Sequence, residues 1–338
     1  MPTNRQFVLA RRPEGKPTDD DFDLVEADVP DPGPREVLVR TRYLSVDPYM
    51  RGRMRDAESY AEPWDVGDVL RGAVVGTVVE SNHPDYAEGD TVTGELHWAD
   101  YAVADGDSLT RVQTGAVSDS AALGVLGMPG RTAYFGVTDV LEPSSGDTVV
   151  VSAAAGAVGS VVGQLAKLGG CRVVGIAGSD EKTDYLTDEL GFDAAINYST
   201  EDVRERLGDA APHGVDGYFD NVGGEITDAV FAHLNVRASV AVCGQIALYN
   251  EEDLPVGPRK LTTVLQKRAT VQGLLVGDYA ARFDEATERL VRWVQNGDVE
   301  FRETVTDGLE NAPDAFIGLF EGENIGKQVV RVESEFDA

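Results

Sequence analysis

Residues 148–159 read Thr-Val-Val-Val-Ser-Ala-Ala-Ala-Gly-Ala-Val-Gly. Four strand-forming positions, Thr148 to Val151, run into a turn with glycines at Gly156 and Gly159. A segment of small and apolar residues with helical character follows, Ser160 to Leu168. A backbone that turns from strand to helix without large side chains can approach a pyrophosphate closely. The start of the helix adds unpaired N–H groups and the positive end of its dipole. The pattern is A-x-G-x-x-G, with Ala154 in its first place. Small residues also suit any tight strand-to-helix turn, so the pattern alone leaves that plainer reading open.

The surroundings narrow it. A second strand, Arg172 to Ile176, follows at the spacing of a strand–helix–strand unit and leads into Gly178-Ser179-Asp180-Glu181-Lys182. A site for a dinucleotide without a 2′-phosphate places an acid near the end of this strand, about 20 residues past the glycines. Ala177, Gly178 and Ser179 stand there instead. Small neutral residues leave room for a 2′-phosphate, which Lys182 can neutralise. The alternative is a solvated lysine on the first turn of a helix.

The chain has 338 residues, 59 acids and 29 bases, a formal net charge of -30. That length allows a large core and two domains. Apolar residues are plentiful, as a folded chain requires. Six of the bases are lysines, at 16, 167, 182, 260, 267 and 327, and the rest are arginines. A surface this acidic repels itself in dilute buffer and is screened in strong salt, which points to a salt-rich cytoplasm; the alternative is an acidic protein with no such adaptation. The same charge disfavours nucleic acid and anionic membranes as partners. No apolar run approaches membrane-spanning length and the N-terminus lacks a signal-peptide pattern, so a cytoplasmic protein is expected. Cys171 and Cys243 form no C-x-x-C pair and read as reduced thiols.

The first 126 residues read as a compact, barrel-like β domain, with strands at Val37 to Tyr43, Gly72 to Glu80, Asp90 to Gly94 and Tyr101 to Val103. From about Gly127 strands and helices alternate. Strands are expected at 148–152, 172–176, 194–197, 215–220, 238–242 and 270–275. Helices are expected near 158–168, 180–189, 202–210, 225–234, 262–268 and 279–296. This alternation implies a parallel, doubly wound sheet in an α/β fold. A last strand, Gly326 to Val332, closes a tail that is expected to return to the first domain.

Seven stretches in order resemble the medium-chain dehydrogenase/reductase superfamily. They are Ser45 to Arg51, Gly127 to Gly130, Ala153 to Gly163, Gly178 to Lys182, Phe219 to Gly224, Ile246 to Asn250 and Asn324 to Lys327. The chain is most similar to the zinc-free branch of prostaglandin reductases, leukotriene B4 12-hydroxydehydrogenases and alkenal double-bond reductases. That resemblance implies a GroES-like catalytic domain over 1–126, an NADP-binding Rossmann domain over 127–298 and a tail, 299–338, that rejoins the first. It also implies NADPH-dependent reduction of the C=C bond of α,β-unsaturated ketones and aldehydes, and a homodimer.

Carried over by position, the resemblance implies that Gly156, Ala157, Val158 and Gly159 hold the pyrophosphate. Lys182 and Tyr198, with Ser179, would meet the 2′-phosphate end. Asn221, Cys243, Gly244 and the loop to Tyr249 would line the adenosine and ribose. Leu274, Leu275 and Val276 would lie along the nicotinamide, and Asn324 would reach back from the tail. Two departures stand out. Arg131 follows Met128-Pro129-Gly130 where an apolar residue is expected, and it could begin a helix and pair with a surface acid or narrow the cleft. Ala247 and Leu248 make the loop before Tyr249 more apolar than in some relatives. No metal is expected. Ser45-Val46-Asp47-Pro48 replaces the segment that carries a catalytic cysteine in zinc relatives, and the histidines at 83, 97, 213 and 233 form no H-x-x-x-H pair.

An enone is already electrophilic at its β-carbon, so a neutral donor to the developing enolate oxygen suffices. Tyr249 is the candidate donor, acting alone or with the ribose 2′-hydroxyl; a packing or cofactor-positioning role is the alternative. Tyr49 is a second candidate, on the cleft wall. A quinone acceptor, or an NADPH-binding protein with little turnover, are the other readings.

Overall fold

The computed structural model describes residues 3–57, 59–112, 114, 117–253 and 255–332. Two compact units emerge. The first runs up to Leu123 and is rejoined by Glu303–Asn324 and by the chain from Gln328 onward; the second is Gly124–Arg302 with Ile325–Lys327.

In the first unit, β1 (Thr3–Leu9) and β2 (Phe22–Asp28) form an antiparallel pair. Five strands follow: β3 (Glu36–Ser45), β4 (Arg71–Ser81), β5 (Thr91–His97), β6 (Tyr101–Asp105) and β7 (Thr110–Arg111). Long β3 pairs antiparallel with both β4 and β6. Its expected alternation hides a register shift opposite Gly76. A Cβ there would lie 2.4 Å from the Arg40 carbonyl oxygen, so glycine lets the two backbones close. Val37, Val39, Leu44, Val74 and Trp98 fill the core beneath this sheet.

The second unit carries β8 (Thr148–Ser152), β9 (Arg172–Ala177), β10 (Ala194–Asn197), β11 (Val215–Asp220), β12 (Leu234–Val242) and β13 (Thr270–Gly273). They form one six-stranded sheet in the order β10-β9-β8-β11-β12-β13, with the pairs parallel. All five residues of β8 are buried, as a central parallel strand covered on both faces requires. The sheet reverses its order between β8 and β11, and a crevice at the carboxyl ends of these strands is the general place for a ligand in such folds. The tail supplies β14 (Glu303–Asp307) and β15 (Lys327–Arg331), and β15 pairs antiparallel with β3.

Several element limits differ from the sequence reading. Strand β12 begins at Leu234, where a helix was expected to continue; that helix stops at Phe231. Arg237, at φ 71°, breaks the strand's register against β11 and masks its first half in the sequence pattern. Strand β13 ends at Gly273, because beyond Leu274 the chain leaves the sheet edge and winds into the 3₁₀ turn Val276–Arg282, followed by the helix Phe283–Asn296. The helix expected over 180–189 is α-helical only to Asp184 and widens to π geometry over Tyr185–Glu189. There the Thr187 hydroxyl donates to the Thr183 carbonyl. The same bond recurs after the helix Met128–Phe135, where Thr138 donates to the Tyr134 carbonyl as π turns begin.

Candidate active site

The glycine turn follows β8 directly. Ala153 takes φ 46°, and its carbonyl accepts the Gly156 N–H at 3.0 Å. A Cβ on Gly159 would stand 2.5 Å from that same carbonyl oxygen, so the helix Gly159–Leu168 can start against the turn only with glycine there. The first-position alanine is also explained: the Ala154 methyl lies 3.0 Å from where a Cβ on Gly175 would be, in space that β9 leaves open. Gly156, Ala157 and Val158 stay half-buried while Ala154, Ala155, Gly159 and Ser160 on either side are buried. The turn therefore presents a short backbone stretch at the head of a helix, which suits a pyrophosphate. The Gly326 N–H donates to the Ala155 carbonyl at 2.7 Å, so residues 325–327 brace the turn from behind.

At the end of β9, Ser179 caps the helix Asp180–Asp184, its hydroxyl accepting the Lys182 N–H at 3.3 Å. Lys182 is half-buried. Burial lowers its ammonium pKa, opposed by neighbouring Glu181. Tyr198 leaves β10 alongside, and its hydroxyl lies 2.6 Å from the place a Cβ on Gly178 would take. Ser179, Lys182 and Tyr198 thus gather at the ends of β9 and β10, and Gly178 excludes the acid side chain that an unphosphorylated ribose would want. A glycine turn beside a lysine, with no acid at positions 177–179, fits a dinucleotide bearing a 2′-phosphate.

Across the switch point, Ser152 ends β8 and Asp220 ends β11. The Ser152 hydroxyl accepts the Asn221 N–H at 2.9 Å, and the Asn221 amide donates to the Ser152 carbonyl at 2.8 Å. Asn221 therefore ties the two strand ends together. The segment after β12 lies against it: Cys243 and Gly244 donate their N–H groups to the Asp220 carbonyl at 2.8 and 3.1 Å. Burial, with Asp220 nearby, pushes the Cys243 thiol up to about 12, so it stays protonated at neutral pH. Tyr249 folds back over this segment. Its hydroxyl accepts the Gln245 N–H at 3.3 Å and lies 3.5 Å from the Cβ position of Gly244. Burial raises its phenol pKa, partly offset by the Gln245 bond.

The remaining expected contacts lie on other elements. Leu274 is turned into the core, its Cδ2 2.9 Å from the Cβ position of Gly136, while Leu275 is exposed and Val276 half-buried. Tyr49 and Asn324 belong to the first unit. Tyr49 precedes the short helix Met50–Arg53, and burial with Asp47 nearby raises its phenol pKa. Arg131 does lie on a helix, but it packs on the second unit's last helix rather than pairing with a surface acid. Its Nε donates to the Thr287 hydroxyl at 3.0 Å and its guanidinium covers the Phe283 ring at 4.8 Å.

The sequence reading gave no role to Ser152, Asp220, Gln245 or Gly326. Asp220 carried the one available signal, an acid at the end of an otherwise apolar half-strand, Gly217 to Phe219. Among the described residues no group of three or more His, Cys, Asp or Glu could hold a metal ion, and no helix is long and apolar enough to cross a membrane.

Comparison with known proteins agrees with this geometry. Residues 5–112 match the family described as the N-terminal domain of oxidoreductase, and residues 157–295 match the family described as zinc-binding dehydrogenase. The chain is 49% identical over 337 residues to an NADPH-dependent curcumin reductase of Escherichia coli, covering 98% of each chain. It is 42% identical over 340 residues to a 2-alkenal reductase (NADP(+)-dependent) of Nicotiana tabacum, again covering 98% of each. The crystal structure of CurA in complex with NADPH from Vibrio vulnificus superposes with a TM-score of 0.94 at 47% identity, over 98% of this chain and 99% of that one. With a glycine turn at the sheet's switch point and relatives this similar along their whole length, the chain belongs to the zinc-independent medium-chain dehydrogenase/reductase family and is an NADPH-dependent oxidoreductase.

Proposed function

We propose that this enzyme reduces the C=C bond of α,β-unsaturated ketones and aldehydes, with hydride added at the β-carbon and no metal required. The observation that carries the reading is the Tyr249 phenol, a neutral donor kept protonated by burial and held over Gly244 at the carboxyl end of β12. NADPH, when bound, supplies the hydride. Gly156 to Gly159 hold its pyrophosphate, Ser179, Lys182 and Tyr198 its 2′-phosphate end, and Asn221, Cys243 and Gly244 its ribose. Leu275 and Val276, with Leu274 behind them, form an apolar wall. Tyr249 donates a hydrogen bond to the substrate's carbonyl oxygen as negative charge gathers there, and the α-carbon then takes a proton from solvent. The names of the similar proteins, a curcumin reductase and an alkenal reductase, favour the same acceptor class.

The test is NADPH oxidation with benzylideneacetone, cinnamaldehyde, curcumin and menadione in strong salt. Turnover of the enones and the enal with loss of their C=C bond is expected. Turnover of menadione alone would make the protein a quinone reductase, and NADPH binding without turnover of any acceptor would remove the catalytic reading.

The enzyme assembles as a homodimer through the outer edge of the parallel sheet. All four residues of β13 are exposed, and Leu261 and Leu265 on the adjoining helix Leu261–Lys267 are 82% and 77% exposed. An open strand edge next to exposed leucines is a surface that soluble proteins cover, and antiparallel pairing of two β13 strands would cover it. Sedimentation velocity is expected to give a dimer, and Val271→Lys with Leu265→Lys a monomer; an unchanged dimer in that variant would place the interface elsewhere.

The acidity is an adaptation to salt. Several of the scarce cations are paired: Arg302 meets Glu189 at 2.6 Å, Arg5 meets Asp100 at 2.9 Å, and Lys167 meets Asp193 at 2.9 Å. The excess of acids remains, and its repulsion acts over a Debye length that shrinks to about 3 Å at 1 M salt. The thermal unfolding midpoint is therefore expected to rise by several degrees or more from dilute buffer to about 2 M KCl. A midpoint indifferent to salt would refute the adaptation.

A further inference from the structure

We propose that Asp220 is a positioning residue for Tyr249: through the Gln245 amide, its carboxylate fixes the turn 245–249 that presents the Tyr249 hydroxyl. This rests on the role given to Tyr249 above.

Asp220 is 1% exposed, and among the described residues its carboxylate meets no cation and receives six hydrogen bonds, all from neutral donors. Four of them converge on Oδ1: the Ser152 hydroxyl at 3.3 Å, the Tyr218 hydroxyl at 3.0 Å, and the N–H groups of Val222 at 3.0 Å and Gly223 at 2.8 Å. The other two reach Oδ2: the Thr227 hydroxyl at 2.8 Å and the Gln245 amide at 3.0 Å. Only an ionised carboxylate is acceptor on both sides, so an asparagine would turn an NH₂ group toward donors. Five of these bonds shape the β8 and β11 ends and the loop into the helix Gly224–Phe231. The sixth, from Gln245, is the carboxylate's own link to the segment that carries Tyr249, beside the backbone bonds of Cys243 and Gly244 to the Asp220 carbonyl and of Ala247 to the Val222 carbonyl at 3.0 Å.

Gln245 is the residue of that segment whose side chain reaches the carboxylate. It sits between Gly244 and the 3₁₀ turn Ile246–Leu248, with φ −136° and ψ 51°. Its N–H donates to the Tyr249 hydroxyl and its carbonyl accepts the Leu248 N–H at 2.8 Å. The amide Nε2 donates to Asp220 and also to the Gly244 carbonyl at 2.8 Å, closing a clip across the residue. Gly223 makes room for it: at φ 74°, a Cβ there would lie 2.3 Å from the Gln245 Oε1. Rotation at Gln245 would carry its own N–H, and with it the tyrosine hydroxyl, out of place.

The test compares Gln245→Met, Tyr249→Phe and the double variant in the full-length enzyme, using NADPH and benzylideneacetone. Methionine keeps the length and removes the amide at a half-buried position, so folding is preserved. Gln245→Met is expected to lose about five- to twentyfold in kcat, with NADPH affinity within about twofold and the double variant no slower than Tyr249→Phe. Amide hydrogen exchange over residues 243–250 is expected to speed up in Gln245→Met while residues 221–224 keep their protection. Losses that multiply in the double variant, or exchange that does not change, would overturn the clip. Unchanged turnover in Tyr249→Phe would instead overturn the role of Tyr249 itself, and the exchange measurement separates the two results.

Discussion

Replacing Tyr249 by phenylalanine is expected to lower enone turnover about a hundredfold while leaving NADPH affinity within a few-fold. Removing one preorganised donor to an oxygen on which charge develops costs roughly 10²–10³ in kcat. The ring keeps its packing and loses only the hydroxyl. That hydroxyl accepts from Gln245, a bond to an N–H at a half-buried position, so the fold loses little. A pH profile adds a second reading. Burial raises the phenol above its ordinary value, so the donor keeps its proton through neutral and mildly alkaline pH, and kcat should show no loss from this group until above about pH 10. Steady-state kinetics with a fluorescence titration of NADPH separates the outcomes. A loss of affinity equal to the loss of turnover would make Tyr249 a cofactor-positioning residue, and unchanged turnover would remove it from the mechanism.

The parallel sheet was legible because its strands are short apolar runs set apart by turn chemistry. Thr148–Ser152, Ala194–Asn197 and Val215–Asp220 lie where the pattern predicts them. Strand β12 was half hidden by the left-handed residue Arg237, because a bulge resets the alternation that identifies a strand. The π turns after Asp184 and Phe135 were invisible, since they have no residue pattern that sets them apart from an ordinary helical turn. In the site, the glycines were readable because glycine's reason is local: no side chain fits beside the Ala153 carbonyl. Asp220 and Gln245 were not, because their meaning is a hydrogen bond between residues 25 positions apart. A carboxylate surrounded by neutral donors has no sequence pattern, and only the fold brings the donors to it.

Replacing Lys182 by alanine is expected to weaken NADPH binding by roughly 10- to 150-fold and NADH binding by less than about twofold. A lost charge-assisted contact is worth about 1.5–3 kcal/mol, which sets the range. Three features concentrate that effect on one side chain. The neighbours Ala177, Gly178 and Ser179 offer no competing charge, Gly178 is kept bare by the Tyr198 hydroxyl, and the chain is otherwise strongly acidic, so a polyanion approaches against the general field. The half-burial that lowers the ammonium pKa adds a pH signature. The protonated form is the one that attracts phosphate, so the preference for NADPH over NADH should decline as pH rises, and at lower pH than for a fully solvated lysine. The alanine variant should show no such decline. Equal losses for both coenzymes would make Lys182 a fold element instead, and no loss for either would return it to the solvated surface.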